Sequence, residues 1–238
     1  MKILAFDGTA RIATVAVCDD DKILASYTVD NGLTQSELLL PMAEDMLKAL
    51  KIGFEDIDLF AVSVGPGSFT GVRIGVALVK GLAFSKGKPI AAVSTLEALA
   101  ENLAPTDAII VPCMDARRNQ VYNALFEGNG TEIRRITPDR AIALDALADE
   151  LRKYEGRRIY LSGDGYKVAR NALEALGIKY ENTPEILIGE NAVSVAKVAK
   201  RQYERCETVN DCELMPTYLR LPQAERERLE KENNEKVK

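Results

Sequence analysis

Two aspartates and one glycine-rich stretch are the residues of this chain whose types and spacing could do chemistry. Asp7 ends an apolar run and opens the turn Asp7-Gly8-Thr9, and Asp115 ends a second apolar run just before Ala116-Arg117-Arg118. A carboxylate at a strand end can help hold Mg²⁺ or can bond the backbone of its own turn, and the spacing leaves both open. The stretch Val64-Gly-Pro-Gly-Ser-Phe-Thr-Gly-Val-Arg-Ile-Gly75 follows a short apolar run and leads into a helical one. Ser68 or Thr70 could cap that helix, whose first N–H groups favour an anion. Asp7, Gly8, Thr9, Gly65, Gly67 and Ser68 are therefore the candidate residues for facing a phosphate or nucleotide. The stretch is not a Walker A loop, because Val72-Arg73 follows Gly71 where Lys-Ser/Thr is required, and Ser68 does not sit in a Gly-x-Ser-x-Gly elbow.

The composition removes other chemistry. The chain has no histidine, which excludes His-based acid–base work, Ser-His and Cys-His nucleophiles and His-containing zinc sites. Cys18, Cys113, Cys206 and Cys212 form no C-x-x-C pair, and the first two fall in apolar runs where thiols act as small hydrophobes. A net charge of -5 argues against nonspecific nucleic-acid binding by the whole surface. Every apolar run is interrupted short of about 20 residues and no leader pattern is present, so the expectation is a cytoplasmic protein that makes no use of a membrane.

Those residues need elements to hold them. Lys2–Asp7, Arg11–Cys18 and Ile23–Val29 read as an antiparallel meander broken by Asp19-Asp20-Asp21. Thr34-Gln35-Ser36-Glu37 matches a capping box and starts a helix to Lys51, with a kink expected at Pro41. A strand at Asp58–Val64, a helix to Lys86, a strand at Pro89–Ser94 and a helix through Leu103 complete the order βββαβαβα. After Ala104-Pro105-Thr106 the order repeats, with strands at Ala108–Met114, Gln120–Glu127 and Thr131–Ile136. A helix at Ala143–Tyr154, a strand at Arg158–Leu161, the Gly163-Asp164-Gly165 loop and a helix at Tyr166–Leu176 follow. A period of about 105 residues predicts a duplication, placing Asp115 where Asp7 stands in the first copy. The expected fold class is α/β: two domains, 1–104 and 105–189, each a mixed sheet with flanking helices. A helix over Glu190–Cys206, with the stretch to residue 220, is expected to pack back on the first domain. Residues 222–238, dense in charges of both signs, read as a soluble tail.

The first two helices are apolar over more than one face. Leu39, Met42, Ala43 and Met46 belong to an arc wider than one packing face needs, and Arg73 and Lys80 are the charged residues between Gly71 and Ser85. Gly67, Gly71 and Gly75 share one line along the second helix and would let another backbone approach it. The expected partner-facing set is Leu39, Met42, Ala43, Met46, Gly71, Arg73, Ile74, Gly75 and Leu78.

A duplicated βββαβαβα unit with an Asp-Gly-Thr turn resembles the sugar kinase, Hsp70 and actin superfamily (ASKHA), whose fold is ribonuclease-H-like and actin-like. The stretch at 64–75 is more specific. Together with Ser36-Glu-Leu-Leu-Leu-Pro41, Ser94-Thr-Leu-Glu-Ala-Leu99, Asp115-Ala-Arg-Arg118, Val121-Tyr122 and Pro216-Thr-Tyr-Leu-Arg220, it resembles the bacterial tRNA threonylcarbamoyladenosine biosynthesis family TsaB, or YeaZ, over residues 1–220. The resemblance implies a noncatalytic subunit that pairs with a homologous catalytic subunit, TsaD, through a bundle of the first two helices of each. It implies that TsaD transfers threonylcarbamoyl to N6 of adenosine 37 in tRNAs reading ANN codons. It further implies recruitment of the ATPase TsaE, a homodimer when the chain is alone, tRNA as substrate of the complex, and no cofactor of its own, ATP and metal being held by the partners. Gln35 stands where that family often has histidine. The residues leave a second reading open: a small kinase or ATPase of the same superfamily, with Asp7 and Asp115 on Mg²⁺ and the glycine loops on phosphates.

Overall fold

The structure, a computed structural model, describes residues 1–220 of the 238, and the charged stretch at 222–238 lies outside the described residues. In the first half, β1 (Lys2–Asp7), β2 (Ala13–Asp19) and β3 (Lys22–Val29) pair as an antiparallel meander in which Leu4 faces Val17 and Phe6 faces Val15. β4 (Leu59–Ser63) joins β1 in parallel and β5 (Ile90–Val93) joins β4, giving the order β3-β2-β1-β4-β5. Parallel neighbours need crossovers, which α1 (Gln35–Leu50) and α2 (Phe69–Lys86) supply.

Side-chain alternation decides which helix covers which face. Leu4, Phe6, Val15, Phe60 and Val62 point to one side, where they meet Leu39, Ala43 and Met46 of α1 and Val72, Val76 and Val79 of α2. Burying each such large side chain contributes roughly 1.5–3 kcal/mol. The alternate residues Ala5, Ala16 and Ala61 are small. Against them α6 (Ala192–Glu204) lays Ala192, Val195, Ala196 and Ala199.

α3 (Thr95–Glu101) starts where Ser94 Oγ accepts the Glu97 N–H at 3.3 Å. It leaves the first sheet and packs Leu96, Leu99 and Ala100 on the second, against Ile110, Met114 and Phe126. That second sheet is built on β6 (Asp107–Asp115). β7 (Gln120–Asn123) and β8 (Phe126–Asn129) run along one edge of it in a single register, Cys113 facing Asn123 and Ile110 facing Phe126. The strand expected over Gln120–Glu127 is thus interrupted at Ala124-Leu125. There the facing residue Pro112 has no N–H to give, and Asn123 Nδ2 donates instead to the carbonyls of Pro112 and Ala124, each at 3.0 Å. The third strand is divided too, into β9 (Ile133–Arg135) and β10 (Arg140–Ala143), the latter not expected from the sequence.

β11 (Ile159–Ser162) lies parallel to β6 on its other edge, and α4 (Leu144–Leu151) and α5 (Tyr166–Ala175) cover the face formed by Ile109, Val111, Cys113 and Leu161. A last strand of the repeat is reduced to one bridge between Tyr160 and Glu181. The architecture is α/β, with two mixed sheets and flanking helices, and the second half repeats the strand-and-helix logic of the first with this one element missing. Among the described residues no helix is long and apolar enough to cross a membrane.

Candidate functional site

Asp7 is buried where β1 ends. Its Oδ1 accepts the Thr9 N–H at 2.9 Å and the Thr9 hydroxyl at 2.7 Å, and its Oδ2 accepts the Ser63 hydroxyl at 2.5 Å. Burial outweighs these bonds and pushes the carboxyl up from its ordinary value. Both oxygens are occupied by the turn and by β4, so the residue ties two strand ends together.

The glycine stretch closes on this turn. A β-carbon at Gly67 would stand 2.4 Å from the Thr9 carbonyl oxygen, and the Ser68 N–H donates to that same oxygen at 2.6 Å. Ser68 Oγ accepts the Gly71 N–H at 3.3 Å, so the helix start expected to cradle an anion has two donors already committed. Gly65, at φ +110°, packs under the C-terminal segment, where a β-carbon would meet the Thr217 carbonyl oxygen at 2.7 Å. Gly8 packs on Gln35 and Leu39. Of the six residues expected to face a phosphate, Gly67 and Ser68 reach a cleft wall. Asp7, Gly8, Thr9 and Gly65 do not, because the two loops pack on each other.

That cleft lies between the two halves, has a volume of about 560 Å³, and is lined by Arg11, Ser68, Asp115, Arg117, Tyr122 and Asp164 among others. Asp164 Oδ1 accepts the Asp115 N–H at 2.8 Å, and Asp115 Oδ1 accepts the Arg117 N–H at 2.7 Å. Burial pushes the Asp164 carboxyl up. An adjoining cleft of about 630 Å³ has Asp30, Tyr166, Lys167, Asn182 and Glu190 on its walls. Glu190 is buried, one of its oxygens has no hydrogen-bond partner, and burial, reinforced by the charge of Asp7, pushes it up to about 8. Sequence reasoning found Asp115 and the 163–165 loop but missed Arg11 and Glu190, since a single charged residue beside an element end carries no distinguishing pattern. Among the described residues no group of three or more His, Cys, Asp or Glu is arranged to hold a metal ion.

The helix pair departs from expectation in a different way. Leu39, Met42, Ala43 and Met46 are buried in the chain's own core, as are Gly71 and Gly75. A β-carbon at Gly75 would meet Val62 Cγ2 at 3.3 Å, so the line of glycines faces the sheet and the turn rather than outward. Of the expected set, Arg73, Ile74 and Leu78 do lie on the outward side of α2, with Ala77, Gly81 and Phe84, and Ile74 and Leu78 are half-buried there against the edge of the core. Phe84 is 75% exposed, and a β-carbon at Gly81 would meet nothing within 4 Å. Gln35 anchors the start of α1 by donating from Nε2 to the Ala10 carbonyl at 2.8 Å.

A family model described as TsaD: tRNA N6-adenosine threonylcarbamoyltransferase matches residues 34–228. The tRNA threonylcarbamoyladenosine biosynthesis protein TsaB of Bacillus subtilis (strain 168) is 32% identical over 225 residues, which is 94% of this chain and 96% of that protein. The protein of the same name from Escherichia coli (strain K12) is 32% identical over 142 residues, 56% of this chain and 61% of that one. Among solved structures, a Pseudomonas aeruginosa protein described as similar to peptidase YeaZ has a TM-score of 0.77 at 24% identity, over 92% of this chain and 99% of that one, and shares the fold.

Proposed function

This chain belongs to the TsaB family, and from that premise we propose that it serves tRNA threonylcarbamoyladenosine biosynthesis as a noncatalytic subunit that docks on the transferase, TsaD, and activates it. The observation that carries the docking reading is the outer face of α2. Ile74, Ala77, Leu78, Gly81 and Phe84 form an apolar strip on a helix whose inner side already packs on its own sheet. Apolar surface of this kind marks an interaction site, and Gly81 leaves room for a partner helix to come close. The family model that covers most of this chain is described by the transferase itself, so the partner has the same helix pair to offer. Two such pairs would pack as a bundle. Alone, the chain would bury the same strip in a homodimer.

The noncatalytic reading draws on the residues present. Without histidine the chain lacks the commonest acid–base and metal-binding side chain, and Asp7 is committed to Thr9 and Ser63. On this reading ATP and metal belong to TsaD and to the ATPase TsaE, which the pair recruits, and tRNA is the substrate of the assembly in the cytoplasm. The division of the chain into an N-terminal unit carrying the docking helices and a smaller second unit is part of the same proposal. The competing reading, a kinase or ATPase, draws on the polar cleft at Asp115 and Asp164. The two separate by sizing chromatography of the chain mixed with the transferase. The docking reading expects one co-eluting complex that Ala77→Glu abolishes, whereas a kinase expects none and hydrolyses ATP by itself.

A further inference from the structure

Arg73 stands on the outward line of α2 that also carries Phe69, Ala77 and Gly81, one helical turn apart, and its side chain is exposed. Its guanidinium lies 3.7 Å from the centroid of the Phe69 ring, and its Nε donates to the Tyr218 hydroxyl at 2.7 Å. The Phe69 and Tyr218 rings are 5.0 Å apart, so one ring stacks on the guanidinium while the other fixes its edge. A surface arginine ordinarily samples many rotamers, and this one is held in advance. Its two Nη groups stay open, since among the described residues no carboxylate pairs with Arg73.

Tyr218 comes from a segment outside both docking helices. Leu214 is buried in the first core, and Lys80 of α2 donates from Nζ to its carbonyl at 3.1 Å. Further on, the Thr217 N–H donates to the Val64 carbonyl at 2.8 Å, and Arg220 donates from Nη1 to the Ala116 carbonyl at 3.2 Å. Residues 214–220 are thus fastened at both ends and in the middle. Met215 and Tyr218 nevertheless keep 64% and 41% of their surface exposed. The core makes no use of those exposed parts, and the Tyr218 ring, with that of Phe69, extends the apolar strip of α2 beyond Arg73.

We propose that residues 214–220 are a third element of the docking face, and that Arg73, held by Phe69 and Tyr218, anchors a carboxylate on the transferase helix that lies along α2. The inference rests on the docking reading above. A partner close enough to cover Ala77 and Gly81 also covers Arg73. Burying a guanidinium without a counter-charge is costly, so the partner has to bring an acidic side chain to that point. With Nε taken by Tyr218, the two Nη groups present the fork that a carboxylate accepts in two parallel bonds. Arginine and tyrosine are also among the side chains that most often dominate the energy of an interface. A phosphate would meet the same fork but leave the strip from Ala77 to Phe84 uncovered, so an acidic protein surface fits the whole face.

The test titrates this chain into the transferase by calorimetry at several salt concentrations, each variant first shown to unfold at the wild-type temperature. Arg73→Gln should weaken binding by at least about 30-fold, the effect of truncating one partner of a buried charge pair, and should flatten the salt dependence. Tyr218→Phe keeps the ring and removes the hydroxyl, and should weaken binding by about 3–10-fold. In the Arg73→Gln background it should change little, because the hydroxyl acts through the guanidinium. Wild-type affinity in the folded Arg73→Gln chain would overturn the anchor, as would fully additive losses in the double variant; if Ala77→Glu still abolishes binding, the docking reading stands without it. An effect of Arg73→Gln on self-association of the chain alone, with none on the transferase, would also overturn it. A wild-type chain that does not bind the transferase overturns both.

Discussion

Gly71 packs against Gly8 so closely that a β-carbon would stand 2.0 Å from the Gly8 carbonyl oxygen. This contact seats the start of α2 on the turn after β1. Gly71→Ala should destabilise the chain by roughly 3 kcal/mol, since backbone must shift to admit the methyl group. Gly81→Ala, on the outward side with open space around it, should add about 0.5–1 kcal/mol, the ordinary gain of alanine over glycine in a helix. Urea unfolding of the isolated chain measures both, and equal effects would contradict the assignment of inner and outer faces.

Glu190 predicts a pH dependence. Its folded value of about 8 lies above the ordinary 4.5, so across that window the folded chain holds a proton that the unfolded chain has released. Stability contributed by this group is complete below the lower value and is lost as pH rises through the upper one. Glu190→Gln should therefore be more stable than the wild type by on the order of 5 kcal/mol at pH 9 and nearly equal to it at pH 4. Thermal unfolding across that range would show the two curves diverging upward in pH; parallel curves would count against a buried, neutral Glu190.

The two halves are tied by Asp139, which accepts the Ser94 hydroxyl at 2.6 Å and an Arg135 N–H at 2.5 Å. Arg135 also donates to Glu97 at 2.8 Å. Asp139→Ala strands the Ser94 hydroxyl and half of the guanidinium, and should cost about 1–3 kcal/mol. Hydrogen exchange should rise around the start of α3 and in β9 more than in β1 or β4.

The thiols separate by burial. Cys18 and Cys113 are buried, with burial pushing them up to about 11 and about 12, while Cys206 and Cys212 are exposed. Iodoacetamide on the folded chain should modify Cys206 and Cys212 alone, with Cys18 and Cys113 reacting only after denaturation; mass spectrometry of the digested product gives the answer.

Much of this fold was readable in the sequence because its signals were local. The apolar run Lys2–Asp7 ending at a turn marks a strand, and Thr34 with Glu37 marks a helix start, the Thr34 N–H donating to Glu37 at 2.9 Å. β10 was missed because Arg140–Ala143 is half-buried throughout, without the in-and-out contrast that reveals a strand. The direction of Gly71 and Gly75 was missed for another reason. A repeat of four fixes a line on a helix but not whether that line meets the chain's own sheet or a partner. The Asp7 and glycine loops were likewise legible as turns, while their packing on each other, which leaves Gly67 and Ser68 on the cleft wall and keeps Asp7, Gly8, Thr9 and Gly65 from it, depends on long-range contacts that no local pattern records.

On the proposed function, this chain activates the transferase through the outer face of α2 without doing the chemistry. The most direct test measures threonylcarbamoyladenosine formed on unmodified tRNA given ATP, threonine, bicarbonate and the enzyme supplying the adenylate. Transferase and TsaE are present or absent, together with either the wild-type chain or Ala77→Glu. The expected result is no product from the chain without the transferase, strong stimulation of the transferase by the wild type, and no stimulation by Ala77→Glu although that variant remains folded. Product formed without the transferase, or full stimulation by Ala77→Glu, would contradict it.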